Sequence, residues 1–331
     1  MKRISIFFIV IDFFLLTILY IPYLPINKVH KAFINSTINS KLEGCLFMFF
    51  DDSIIYRETS ENNITTLNNN VSNDMIVETI LSDQVENEYE EAILTRDFNN
   101  EDYKVINIKI GNVDGFIVAV YDPSKIILMT SSGFNKNGSF YTEKVSSMAK
   151  RYGSIVSING GGYDDITLTN VPRGCVIQNN KIIWNIKAKV DLIGFNSDNR
   201  LVLMNTTCNE AINMGIHDAV TFSPFLIRNG IVNKNPMSGG GFTRASRVAI
   251  AQRLDGIILF LVTNGNHQNG PLMTDVIDVL VKYGAYNAAN LDGGASTTLI
   301  INNQLLNKPY NIYGQYVTGG RGVITAFGVK K

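Results

Sequence analysis

From Tyr103 onward, short apolar runs alternate with turn dipeptides, and this rhythm restricts the fold more than any other feature of the chain. Val105-Ile106-Asn107-Ile108-Lys109-Ile110 alternates in the manner of a half-buried strand. Residues 115–121, 125–130, 154–158, 174–178, 181–185, 192–196 and 200–204 read as further strands, as do 219–221, 225–228, 247–252, 257–263, 288–291, 297–301 and 323–329. Asn179-Asn180, Asp198-Asn199, Asn229-Gly230 and Asp255-Gly256 fall between pairs of these runs, and such dipeptides suit tight hairpins. Helical character is confined to 142–152 and 274–283. In the second, Val276, Ile277, Leu280 and Tyr283 share one face, and Gly284 follows as a C-cap. The pattern predicts an α+β fold: a strand-rich, mixed-sheet domain with few helices over residues 103–331, without a regular βαβ series.

The front of the chain is different. Residues 4–26 are almost wholly apolar, with Asp12 the one ionisable side chain. At a rise of 1.5 Å per residue such a run spans roughly 30 Å, the thickness of a bilayer core. No small-residue cleavage site follows it, and Lys2-Arg3 precede it. Residues 1–27 are therefore expected to be an uncleaved transmembrane signal-anchor, leaving the body extracytoplasmic, in the cell envelope. Residues 28–102 read as an acidic, Asn-rich juxtamembrane region, in which the Glu-rich run 83–91 has helical character.

The formal net charge of zero conceals an asymmetry: residues 51–102 carry fourteen acids against two Arg, and residues 103–331 carry twenty-two Lys/Arg against thirteen acids. A basic body behind an acidic segment suits an anionic substrate. Three scattered cysteines, Cys45, Cys175 and Cys208, make no disulfide framework, and a single Cys175–Cys208 pair is left open. His30, His217 and His267 lack zinc spacing, and there is no nucleophile-elbow serine or Walker loop.

Candidate site residues cluster at strand ends. Leu291-Asp292-Gly293-Gly294-Ala295-Ser296 delivers a carboxylate beside two glycines. Asn159-Gly160-Gly161-Gly162 offers an amide and a glycine backbone able to cradle an anion, followed by Asp164 and Asp165, which could serve as acids, cation ligands or surface charges. Glycines recur at 239–241 and 319–320. Arg247 and Arg321 are candidate phosphate contacts, and His267 is either a proton donor or a solvated loop histidine.

In this order, these stretches resemble the phosphodiester glycosidase family, which includes bacterial envelope proteins of exopolysaccharide metabolism. The resemblance rests on Asn159-Gly160-Gly161-Gly162-Tyr163, residues 222–230, Arg247-Val248-Ala249-Ile250, Leu291-Asp292-Gly293-Gly294-Ala295-Ser296 and Arg321. It implies hydrolysis of a sugar-1-phosphodiester in an envelope glycopolymer or glycoconjugate. Asp292 is the first catalytic candidate, with the second carboxylate open between Asp165 and Asp218. Asn159, Gly160, Gly161, Gly162, Arg247, Gly293, Gly294, Ser296 and Arg321 are expected to contact substrate or phosphate. No cofactor is expected, a divalent cation such as calcium being the one option, and no nucleic acid partner. There are departures: Asn264-Gly265 stands where the family has Asp-Gly, Asp275 replaces a Glu, Ala295 a Gly, and Gly322 a Pro. They define a rival reading, a weak or inactive envelope protein that binds an anionic glycopolymer.

Overall fold

In the computed structural model of the chain, which describes residues 87–97, 102–236, 241, 243–311 and 313–331, all four turn dipeptides close antiparallel hairpins. Asparagine does much of this work. Among the described residues, nine of the eleven non-glycine residues with positive φ are Asn, including Asn179, Asn180, Asn199 and Asn229. Its short amide makes the left-handed region tolerable, so within the body the abundance of Asn is a turn device.

Three large sheets result, beside two two-stranded ones, among the described residues. The first runs, in spatial order, Tyr103–Ile110, Val113–Val120, Ile258–Thr263, Val248–Arg253, Ala285–Leu291, Phe225–Arg228 and Ile231–Val232. The second runs Leu201–Thr206, Val190–Asn196, Ile216–Thr221, Cys175–Gln178 and Lys181–Asn185. The third runs Gln304–Leu305, Leu299–Ile301, Ser154–Asn159, Thr325–Lys330 and Ile126–Thr130. The expectation of mixed sheets is corrected: every strand pair among the described residues is antiparallel. Parallel neighbours need long crossovers, usually helical, and four α-helices among the described residues do not supply them.

Strand periodicity sets the packing. Along Ile258–Thr263, Ile258, Phe260 and Val262 enter one core while Leu259 and Leu261 enter another. The strand is buried on both faces, which is why it reads as an unbroken apolar run. The first core joins the three sheets through residues such as Val118, Ile158, Phe195, Val220, Ile250, Leu291 and Phe327. The second lies on the outer face of the first sheet, under helix Met273–Lys282 and helix Glu88–Leu94.

Helix Glu88–Leu94 ties part of the acidic region to the body. Asn87 caps it by accepting from Tyr89 and Glu90 N–H, Ile93 is fully buried, and Tyr89 packs edge-to-face on Tyr283. The anchor expected at 1–27 and most of the region 28–102 lie outside the described residues, and among those described no helix is long and apolar enough to cross a membrane.

Two features were not read from the sequence. Helix Cys208–Asn213 begins with a capping box, in which Glu210 N–H donates to Thr207 Oγ1 and Glu210 Oε2 accepts from Thr207 N–H. Cys175 and Cys208, left open as a pair, form a disulfide that fastens this helix to the second sheet. For a separation of 33 residues, the chain-entropy relation gives about 3–4 kcal/mol of stabilisation. Cys208→Ser should therefore lower the unfolding free energy in urea by roughly 2–4 kcal/mol, and reducing the wild-type protein should reproduce the loss. An unchanged midpoint would argue against the pairing.

Candidate active site

Two sheets end at the same place. Strand Ser154–Asn159 of the third sheet runs into Gly160, and strand Ala285–Leu291 of the first runs into Asp292. Asp292 N–H donates to Gly160 O at 3.1 Å. Its carbonyl accepts from Asn159 Nδ2 at 2.5 Å, and Asn159 Oδ1 accepts from Thr298 N–H at 3.0 Å. Asn159 is fully buried, and both ends of its amide hold the Asp292 loop. It is a frame residue, not the expected substrate contact.

The expected anion cradle at Gly160, Gly161 and Gly162 does not form, because all three N–H groups have partners: Thr325 O, Thr325 Oγ1 and Thr221 O. Glycine is required here for a different reason. A Cβ on Gly161 would lie 2.7 Å from Thr221 O and 2.9 Å from Val220 Cβ. The glycines let the second sheet and the third approach each other beneath Asp292.

Above this frame sits a cluster centred on Arg321. Its Nε donates to Ser296 Oγ at 2.8 Å and its Nη1 to Asp165 Oδ2 at 2.7 Å, while Nη2 lies 3.6 Å from Asp292 Oδ2. The guanidinium also covers the ring of Tyr163, 5.2 Å from its centroid, and the Tyr163 hydroxyl donates to Gly322 O at 2.9 Å. The preceding turn requires Gly320, whose φ is +72°.

Electrostatics separates the members. Burial pushes the Asp292 carboxyl above the ordinary range; Arg321, Ser296 and Arg173 pull it down, and Asp165 adds to the rise. Its side chain is only 18% exposed, against 38% for Asp165. Burial disfavours charge on Arg321, but Asp292, Tyr163 and Asp165 outweigh that and hold its pKa above the usual value. Burial also raises Tyr163 to about 12, so it stays a neutral donor.

Other expected site residues are engaged differently. Arg247 is buried, with its guanidinium on the carbonyls of Thr243 and Pro271, and burial lowers its pKa to about 10. Asp218 Oδ1 caps the Asn179-Asn180 turn by accepting from Asn179 N–H at 2.9 Å, and Oδ2 lies 3.2 Å from His217 Nδ1. It stands three residues before Thr221, roughly 10 Å along the strand at the usual rise. Asp164 accepts from Ile166 and Thr167 N–H and closes its own loop. His267 is exposed, with Gly314 nearby. Asn264 Oδ1 accepts from Lys308 N–H at 2.7 Å, a bond that a carboxylate there could also accept. Gly294 N–H and carbonyl both bond to Ser246, fixing the turn after Gly293. Gly239 and Gly240 lie outside the described residues. No cluster of three or more His, Cys, Asp or Glu able to hold a metal occurs among the described residues.

Arg173 was not singled out in the sequence. The local string Pro172-Arg173-Gly174 carries no motif; a bridge between Tyr163 and Pro172 and a bond from Arg173 N–H to Gly162 O bring it to the site.

A β-rich domain with an Asp–Arg–Asp cluster at the meeting of two sheets defines a class, and comparison places it. The phosphodiester glycosidase family model matches residues 152–330, more than half of the chain, and the chain belongs to that family. A SPbeta prophage-derived uncharacterized protein YomE from Bacillus subtilis (strain 168) is 26% identical over 197 residues, 57% of this chain. The chain spans 30% of that relative's length. The fold is similar to that of the catalytic domain of zebrafish N-acetylglucosamine-1-phosphodiester alpha-N-acetylglucosaminidase, auto-inhibited by its pro-peptide: TM-score 0.61, 20% identity, covering 71% of this chain and 85% of that one. It is also similar to a hypothetical protein from Synechocystis, with TM-score 0.51 and 17% identity, covering 69% of this chain and 61% of the other.

The raised Asp292 pKa has a stability consequence. Over the window between the ordinary Asp value of about 3.9 and the raised one, the folded chain holds a proton that the unfolded chain has lost, so stability falls as pH rises. Asp292→Asn removes that loss. Relative to wild type, the variant's melting temperature should rise as pH is increased from about 4 to about 7.5. A difference that stays constant across this range in thermal unfolding would contradict the buried-acid assignment.

Proposed function

We propose that this chain hydrolyses a sugar-1-phosphodiester at its glycosidic C–O bond, releasing free sugar and a phosphomonoester. The observation that carries the reading is the pair of carboxylates on one guanidinium, one buried with a raised pKa and the other more exposed. Glycosidases divide acid and base work between two such groups.

In this mechanism Asp292, whose pKa burial raises, acts in its protonated form and gives its proton to the bridging oxygen as the C1–O bond breaks and the bonding pair leaves with the phosphate. Asp165 takes a proton from the water whose oxygen bonds to C1. A proton then returns from Asp165 to Asp292 through solvent, and the sum is one water split between sugar and phosphate. Ser296 and Tyr163 fix the guanidinium of Arg321, which sets the spacing of the two carboxylates between which the sugar would lie.

The basic excess over residues 103–331 favours an anionic glycopolymer or glycoconjugate, whose local concentration a positive surface raises. On the same reading the apolar residues 4–26 hold the body at a membrane, in the cell envelope.

Purified protein should release reducing sugar from members of a sugar-1-phosphodiester panel, and Asp292→Ala should lower kcat/KM by about 10²–10⁴-fold. Activity surviving that change would remove Asp292 from the mechanism. Since Asp292 must be protonated, kcat/KM should fall as pH rises through its raised pKa. Asp165→Asn, by deleting a negative charge that raises that pKa, should shift this limb of the residual activity to lower pH. A limb that moves upward or stays fixed would break the assignment.

A further inference from the structure

We infer that Arg173 is the residue that recognises the phosphate and so makes the site select a charged leaving group. This rests on the proposed reaction and deepens it.

The two arginines expected to do this are otherwise engaged. Arg247 is buried against the carbonyls of Thr243 and Pro271. Arg321 holds Ser296 and Asp165 and neighbours Asp292. One guanidinium set among two carboxylates is neutral when Asp292 is protonated and carries one negative charge when it is not. A phosphodiester is a monoanion, and entering such a cluster unaided it would meet no net attraction and, with Asp292 ionised, repulsion.

Arg173 supplies the missing charge. It leaves the loop closed by the Tyr163–Pro172 bridge and begins the approach to strand Cys175–Gln178. Its main chain is fixed by the 2.9 Å bond from its N–H to Gly162 O. Its Cδ lies 3.3 Å from where a Gly162 Cβ would stand, on the segment whose first glycine carries Asp292. Beyond that point the side chain is exposed, and its guanidinium makes no hydrogen bond or ion pair among the described residues. Its charge nonetheless reaches Asp292 and lowers that carboxyl's pKa. An anchored stem, an uncommitted fork and proximity to the proton donor are what phosphate recognition beside a scissile bond needs.

The test uses two substrates with the same sugar, one a phosphodiester and one a neutral aryl glycoside, on the full chain and on Arg173→Gln and Arg173→Lys. Arg173→Gln should raise KM for the phosphodiester by roughly 10–100-fold, the size of a lost charge-assisted contact, and leave KM for the neutral glycoside unchanged. Arg173→Lys should recover part of the loss. A parallel change on both substrates, or none, would overturn the inference. Binding of hexose 1-phosphate, followed by thermal shift, separates this inference from the hydrolytic reading. If the wild type turns over neither substrate but binds the phosphate in an Arg173-dependent way, the reaction fails and the inference stands. If Arg173→Gln binds hexose 1-phosphate as tightly as wild type, or wild type does not bind it, the inference fails whatever the turnover.

Discussion

The site depends on one guanidinium. Arg321 is drawn into a largely buried position, where a lone charge would be costly, and the surrounding groups offset that cost: Asp165 and Ser296 accept its N–H bonds, Asp292 lies close by, and Tyr163 lies under its face. These partners come from two parts of the chain distant from it and from each other, residues 163–165 and 292–296. The same contacts that satisfy the arginine therefore gather two carboxylates at one crevice and set them at different depths. The difference in burial then divides them chemically, pushing the pKa of the deeper one upward.

The frame beneath makes that gathering rigid. Asn159 pins Asp292 and Thr298 with the two ends of a single buried amide. The three glycines after it give their N–H groups to Thr325 and Thr221, so one short segment fastens the second and third sheets while its first carbonyl accepts from Asp292. Backbone groups at a meeting of sheets must find partners somewhere. Here they find neighbouring strands rather than a ligand.

The sequence revealed the local features well and the distant ones poorly, and the reason is physical. Strand periodicity and turn dipeptides report what neighbouring residues do, so hairpins such as 175–178 with 181–185 were readable in place. Asp292 and Arg321 could be named because each sits beside glycine, and Asp165 because it follows closely on the glycine run 160–162. What could not be read was which partner each polar group would find. Asp218 looked equivalent to Asp165 until the fold placed it under a hairpin turn. Arg247 looked like a phosphate ligand until its strand was buried on both sides, turning the guanidinium onto carbonyls. Arg173 carried no signal because its position depends on a loop closure between its own N–H and the carbonyl of Gly162. The all-antiparallel pairing was hidden for the same reason, since strand direction is a property of the assembled sheet.

The central claim is that water attacks the sugar carbon and the phosphate departs with its original oxygens. Turnover of a sugar-1-phosphodiester in ¹⁸O-labelled water, read by mass spectrometry of both products, tests it directly. The account predicts the label in the sugar's anomeric hydroxyl and none in the phosphomonoester. Label in the phosphate would mean P–O cleavage and would contradict the roles given to Asp292 and Asp165.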